Sequence, residues 1–126
     1  MKYIVFLLFY VVIAMGEDLP ASFFRAIHQV ETGGRLGSIK GQRGELGPLQ
    51  IRKAYWQDSR AAGKYEQCSD YVYSCRVVTA YLNRYGRRFV LARDYESLAR
   101  IHNGGLNGYR NPNTKKYWVR VRKFLS

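Results

Sequence analysis

A chain of 126 residues with a formal net charge of +12 has room for one ordinary domain with a genuine core. The charge narrows its partners to polyanions, among them bacterial envelopes, anionic glycans and nucleic acids, without choosing between them. Two cysteines and two distant histidines make no ligand cluster, so neither a metal centre nor a cofactor is expected.

The N-terminus reads as a secretory signal peptide over residues 1–16. Lys2 gives a basic start, Tyr3 to Ile13 is an unbroken apolar run, and Ala14-Met15-Gly16 supplies small residues for cleavage. The run is too short to serve as a stable membrane anchor, and charge follows at once in Glu17-Asp18. Removing it takes away Lys2 alone and leaves +11 on residues 17–126, the expected mature domain of an extracellular protein. In an oxidising compartment Cys68 and Cys75 would form a disulfide. Within one continuous helix their Cα atoms would stand about 10.5 Å apart, too far to bridge, so the pairing requires a helix that starts between them.

Leu19-Pro20-Ala21-Ser22 reads as a helix entry. Phe23, Ile27 and Val30 then recur at helical spacing, and Thr32-Gly33-Gly34 stops the run directly after Glu31. A carboxyl group at that place meets both desolvation and the negative end of the helix dipole. Both favour its protonated form, which is how a general acid is made; the alternative reading of Glu31 is a partly exposed glutamate that merely ends the helix. The glycine-rich residues 33–47 carry Arg35, Lys40, Arg43 and Glu45 and suit a loop or small hairpin beside a ligand, or a plain surface loop. Further helices are expected over residues 49–62, 70–85 and 94–102, with Asp94 as an N-cap, and after Asn111-Pro112. The fold class is mainly α, about five helices with at most a small β element.

Three blocks in order carry a resemblance. Glu31 precedes the glycines, then come Gly47-Pro48-Leu49-Gln50 and Ile101-His102-Asn103-Gly104-Gly105. The pattern resembles the lysozyme-like superfamily, nearest to soluble lytic transglycosylases and goose-type lysozymes. It implies Glu31 as the general acid, with Gln50, His102 and Asn103 lining a sugar-binding cleft. His102 stands where those families carry tyrosine, and Pro48 where they carry a leucine-like residue. Their acidic positions around the glutamine block fall here on Gly41 and Arg52. Glu45, which its loop could return across the cleft from Glu31, is the candidate second carboxylate, ahead of Asp58 on the far part of its helix. If Glu45 only caps a turn, the alternative is assistance by the substrate's own acetamido group, as in lytic transglycosylases.

Tyr55, Trp56, Tyr109, Tyr117 and Trp118 supply rings for sugar stacking or for the core, and Tyr109 is placed with the substrate-binding set. The function expected on this resemblance is a secreted, monomeric muramidase that cleaves the β-1,4 bond of peptidoglycan and is held on anionic bacterial surfaces. A lytic transglycosylase, a chitinase and a non-enzymatic cationic glycan-binding protein are the alternatives. A nucleic-acid partner is not expected, because the basic residues form no recognised nucleic-acid motif.

Overall fold

The first described helix begins directly after a proline. In a computed structural model that describes residues 19–125, α1 (Ala21–Thr32) follows Pro20 in an extended conformation. Its stripe of Phe23, Phe24, Ala26, Ile27 and Val30 is buried. Gly33 closes it in the left-handed region at φ 65°, and the amides of Gly33 and Gly34 donate back to Gln29 O and His28 O. The signal peptide expected over residues 1–16 lies outside the described residues.

The glycine-rich segment after α1 is a tied loop with two isolated antiparallel bridges, Lys40 to Leu46 and Leu46 to Ile51. Gly47, at φ 82°, is required there: a Cβ would lie 1.8 Å from the Cys68 carbonyl oxygen. Pro48 and Leu49 are buried beyond it. Gln50 then adopts φ 53°, a left-handed conformation uncommon for a residue with a side chain.

That residue explains why the second helix starts late. The expected helix over residues 49–62 is confined to α2 (Lys53–Ser59), because a left-handed Gln50 cannot be part of a right-handed helix. A 3-10 turn, Tyr65–Ser69, leads to α3 (Tyr71–Tyr85), where Asp70 accepts from Tyr73 N as N-cap. Gly86 ends α3 and also starts α4 (Arg87–Ala92), a helix that the sequence reading passed over. Asp94 caps α5 (Tyr95–Gly104) by accepting from Ser97 N. Two short 3-10 turns, Gly108–Arg110 and Pro112–Thr114, then lead into α6 (Lys115–Arg122).

Six α-helices and almost no β structure among the described residues agree with the mainly α expectation. α3 and α5 carry the centre of the core through Val77, Val78, Leu82, Leu98, Ala99 and Ile101. Arg100, 8% exposed, is a buried cation on α5. It donates to Thr114 Oγ1 at 2.8 Å and to Asn111 O at 3.1 Å, and pairs with Glu96 at 3.0 Å. These bonds tie the end of the chain to α5 and seat α6 against α1.

The disulfide expectation is corrected. Cys68 and Cys75 are free thiols, Cys68 fully buried in the 3-10 turn and Cys75 half-buried inside α3. A helix does start between them, as the pairing required. Yet Cys68 turns into the core, while Cys75 has the Tyr71 hydroxyl as its hydrogen-bonding neighbour. Burial first, then the Glu66 charge, raises the Cys68 thiol to about 11, and burial raises Cys75 to about 11.

Candidate functional site

A cleft of about 480 Å³ opens between the glycine-rich loop with α2 on one side and the end of α5 on the other. Glu31 lines it because α1 ends there and Gly33 turns the chain away at once. Its side chain is 21% exposed. The Tyr117 hydroxyl on α6 donates to Glu31 Oε2 at 2.7 Å, and His102 Nε2 lies 3.7 Å from the same oxygen. On its other face, His102 Nδ1 is 2.8 Å from the Tyr55 hydroxyl. Tyr55 in turn stacks on Tyr81, ring centroids 3.7 Å apart.

The phenols in this chain are kept neutral. Burial first, and then the Glu31 charge, pushes Tyr117 well above its ordinary range. Tyr55 is pushed up by burial, then by Tyr81 and Glu31. Both hydroxyls therefore keep their protons at any ordinary working pH and can donate to their partners. Tyr117 was one of several rings available for sugar or core from the sequence. Its role as partner to Glu31, 86 residues away, has no local sequence signal.

The opposite wall holds Glu45, Gln50, Arg43 and Arg52, with Asp58 further along α2. Gln50 Nε2 donates to Gly47 O at 2.9 Å and to Ile39 O at 3.2 Å, which holds its left-handed backbone in place. Its amide oxygen then converges with Glu45 on Gly41. A Cβ on Gly41 would stand 2.4 Å from Gln50 Oε1 and 2.7 Å from Glu45 Oε2. Glu45 Oε1 is buried and has no hydrogen-bond partner among the described residues. A buried carboxylate oxygen without a donor is costly, and a substrate hydroxyl or an ordered water would relieve it.

Of the residues singled out from sequence, Glu31, Glu45, Gln50, His102 and Asn103 come together around this one cleft. Tyr109 does not line it. Its ring packs on Phe89 at 5.1 Å, with Arg88 and Arg110 over it, because the Gly108–Arg110 turn directs it toward α4. Asp58 does line the cleft, despite its place late in a helix, because α2 is short. Of the five rings offered for sugar stacking, Tyr55 is the one in the lining. Trp56 instead donates to the Tyr73 hydroxyl at 2.9 Å. No group of three or more His, Cys, Asp or Glu among the described residues could hold a metal ion.

Three comparisons bear on this geometry. The model of the Destabilase family matches residues 22–124. Lysozyme 1 of Crassostrea virginica is 46% identical over 78 residues, covering 60% of this chain and 42% of that protein. A lysozyme of Magallana gigas is 39% identical over 79 residues, covering 61% of this chain and 58% of that protein. The chain thus spans about half the length of these curated relatives. The crystal structure of Tapes japonica lysozyme superposes with a TM-score of 0.73 at 30% identity, covering 86% of this chain and 93% of that one. The lysozyme-like character read from the three blocks holds. The kinship with goose-type lysozymes and lytic transglycosylases is replaced, since the matching family is Destabilase.

Proposed function

We propose that this chain, which belongs to the Destabilase family of lysozyme-like proteins, is a secreted glycoside hydrolase that cleaves the β-1,4 bond between N-acetylmuramic acid and N-acetylglucosamine in peptidoglycan. The observation that carries the reading is the setting of Glu31, a carboxyl group at the floor of an open cleft with one oxygen engaged from behind. Tyr117 occupies Oε2, which leaves the other oxygen to deliver a proton to the glycosidic oxygen. This is the general-acid half of glycoside cleavage.

Glu45 is the second carboxylate of the proposal. Its side chain lines the same cleft as Glu31, and its Oε1 is left without a partner among the described residues. In the proposal this carboxylate acts on the water or stabilises the cationic sugar that forms as the bond breaks. Gln50 and Asn103 would hold sugar substituents from the two walls. When the Tyr55 hydroxyl donates to His102 Nδ1, the remaining proton sits on Nε2 and faces Glu31. His102 is then a positioning residue, acting through Glu31. The basic surface retains the enzyme on anionic bacterial walls, and the signal peptide read in residues 1–16 delivers it outside the cell.

The test is digestion of purified peptidoglycan followed by mass spectrometry of the released muropeptides. Reducing ends are expected from the native protein and should fall to background in Glu31→Gln. Anhydro ends would replace hydrolysis with transglycosylation, and full activity in Glu31→Gln would overturn the assignment of the acid. Chitin oligomers run alongside should be cut poorly or not at all.

A further inference from the structure

Away from the cleft, the segment from the end of α3 through α4 and the Gly108–Arg110 turn gathers arginines on aromatic rings. Arg88 lies 4.5 Å above the Phe89 ring and 5.2 Å above Tyr109, and Arg110 covers Tyr109 at 5.7 Å. Arg84 covers Tyr85 at 5.2 Å. Stacking of this kind fixes the plane of a guanidinium while leaving its N–H edge for an anion.

Among the described residues these charges are not neutralised by carboxylates. Arg84, Arg87, Arg88, Arg93 and Arg110 are exposed, and none has a carboxylate within 4.0 Å among the described residues. Three of them donate to neutral oxygens: Arg84 to Asp58 O, Arg87 to Asn83 Oδ1 and Arg110 to Asn107 Oδ1. The nearest acidic residues in sequence are committed elsewhere. Asp94 caps α5 through Ser97, and Glu96 pairs with Arg100.

Apolar groups accompany the charge. Leu91, 60% exposed, follows Arg88 and Arg87 by three and four residues on α4 and so shares their face. Leu106, 53% exposed, lies on the loop that leads to Tyr109. A soluble phosphate polymer would gain nothing from these leucines. A bilayer would, since its headgroups offer phosphates to the arginines and its acyl boundary covers the leucines. No described helix is long and apolar enough to cross a membrane, and the contact argued for is a peripheral one.

We infer that this arginine–aromatic face, independent of the cleft and of its chemistry, is a docking surface for bilayers of anionic phospholipid. The guanidinium groups of Arg87, Arg88, Arg93 and Arg110 engage headgroup phosphates while Leu91 and Leu106 enter the interface.

The experiment measures partitioning of the full protein onto mixed phosphatidylcholine–phosphatidylglycerol vesicles by co-sedimentation. Circular dichroism and thermal unfolding confirm that each variant is folded. Replacing Arg87, Arg88 and Arg93 together by Gln should weaken partitioning roughly a hundredfold. A charge-matched variant with Lys115, Lys116 and Lys123 replaced by Gln, all exposed on or beside α6, should weaken it less than about tenfold. Equal losses in the two variants would overturn the proposal, because net charge alone would then explain binding. Leu91→Ser should lower vesicle partitioning roughly threefold or more and leave binding to soluble polyphosphate unchanged. Binding to polyphosphate as strong as to vesicles, with no effect of Leu91→Ser on either, would assign the face to a phosphate polymer instead.

Discussion

Glu31 and Glu45 face the same cleft from two regions built in different ways. Glu31 stands on a twelve-residue helix with a buried apolar stripe, and its partners come from α5 and α6, far along the chain. Glu45 stands on a glycine-rich loop whose hydrogen bonds are largely its own, Gly41 N to Glu45 O and Gly47 N to Ile39 O among them. One carboxylate has a donor at 2.7 Å, and the other has a buried oxygen with none. The helical wall thus holds its acid in a fixed setting before any ligand arrives. The loop wall keeps an acceptor in reserve for one.

The largest expected effects compare the two directly. Glu31→Gln removes the proton donor and should lower peptidoglycan turnover by roughly 10²–10⁴-fold, read as released reducing ends per unit time. Glu45→Gln should cost roughly a hundredfold, mostly in kcat, with substrate binding little changed. If Asp58→Asn proved the more damaging of the two, the second carboxylate would move to α2 and the contrast between the walls would lose its basis.

Tyr117→Phe tests whether the pre-set donor matters. It deletes one hydrogen bond to a charged group, about 1.5–3 kcal/mol in general, and leaves the ring that packs in the core. Turnover should fall roughly tenfold or somewhat more, with a smaller loss of thermal stability. An unchanged rate would mean that Glu31 is positioned by α1 alone. Arg100→Met addresses the seating of α6 behind that donor. Losing the Thr114 and Asn111 bonds should destabilise the fold by about 1–3 kcal/mol, measured by urea unfolding.

What the sequence made legible follows the same division. Glu31 could be found because Phe23, Ile27 and Val30 keep helical spacing and the double glycine fixes where the helix ends. The cleft blocks were legible as short runs, Gly47 to Gln50 and His102 to Gly105, and both line or border the cleft. The left-handed backbone of Gln50 was not, because nothing in a Pro-Leu-Gln-Ile run announces a positive φ, and the start of α2 was misplaced in consequence. α4 was missed because one residue, Gly86, both ends one helix and begins the next. The position of Tyr109 outside the cleft lining was not legible for a related reason: its ring packs on Phe89 of a helix that the sequence had not shown. Tyr117 and Arg100 act through tertiary contacts that no spacing rule encodes.

Gly41→Ala probes the loop wall at finer scale. The added methyl group would displace the ends of Gln50 and Glu45, both flexible side chains, so stability should change by less than about 1 kcal/mol. Activity should still fall, and the loss in the double variant with Glu45→Gln should be smaller than the two single losses combined, because part of the Gly41 effect acts through the same carboxylate. Additive losses would show that Gly41 serves the substrate by some other route.

The smallest effect concerns the thiol behind that wall. Gly47 packs against the Cys68 carbonyl, so Cys68 is shielded by the loop, whereas Cys75 sits half-buried in α3. Both thiols are held at about 11, above their ordinary value of 9.0, mainly by burial. The folded state therefore binds these protons more tightly than the unfolded chain does. The resulting stability is fully present below about pH 9 and is lost as pH rises through about 11. Urea midpoints should accordingly be level in this respect up to pH 9 and decline beyond it, and Cys68→Ala/Cys75→Ala should flatten that decline. A thiol reagent at neutral pH should label Cys75 before Cys68, and ligand bound in the cleft should slow Cys68 further by closing the loop over it. Labelling of Cys68 first would mean that the loop wall opens more readily than α3 frays, and the reserve acceptor would then belong to a mobile wall.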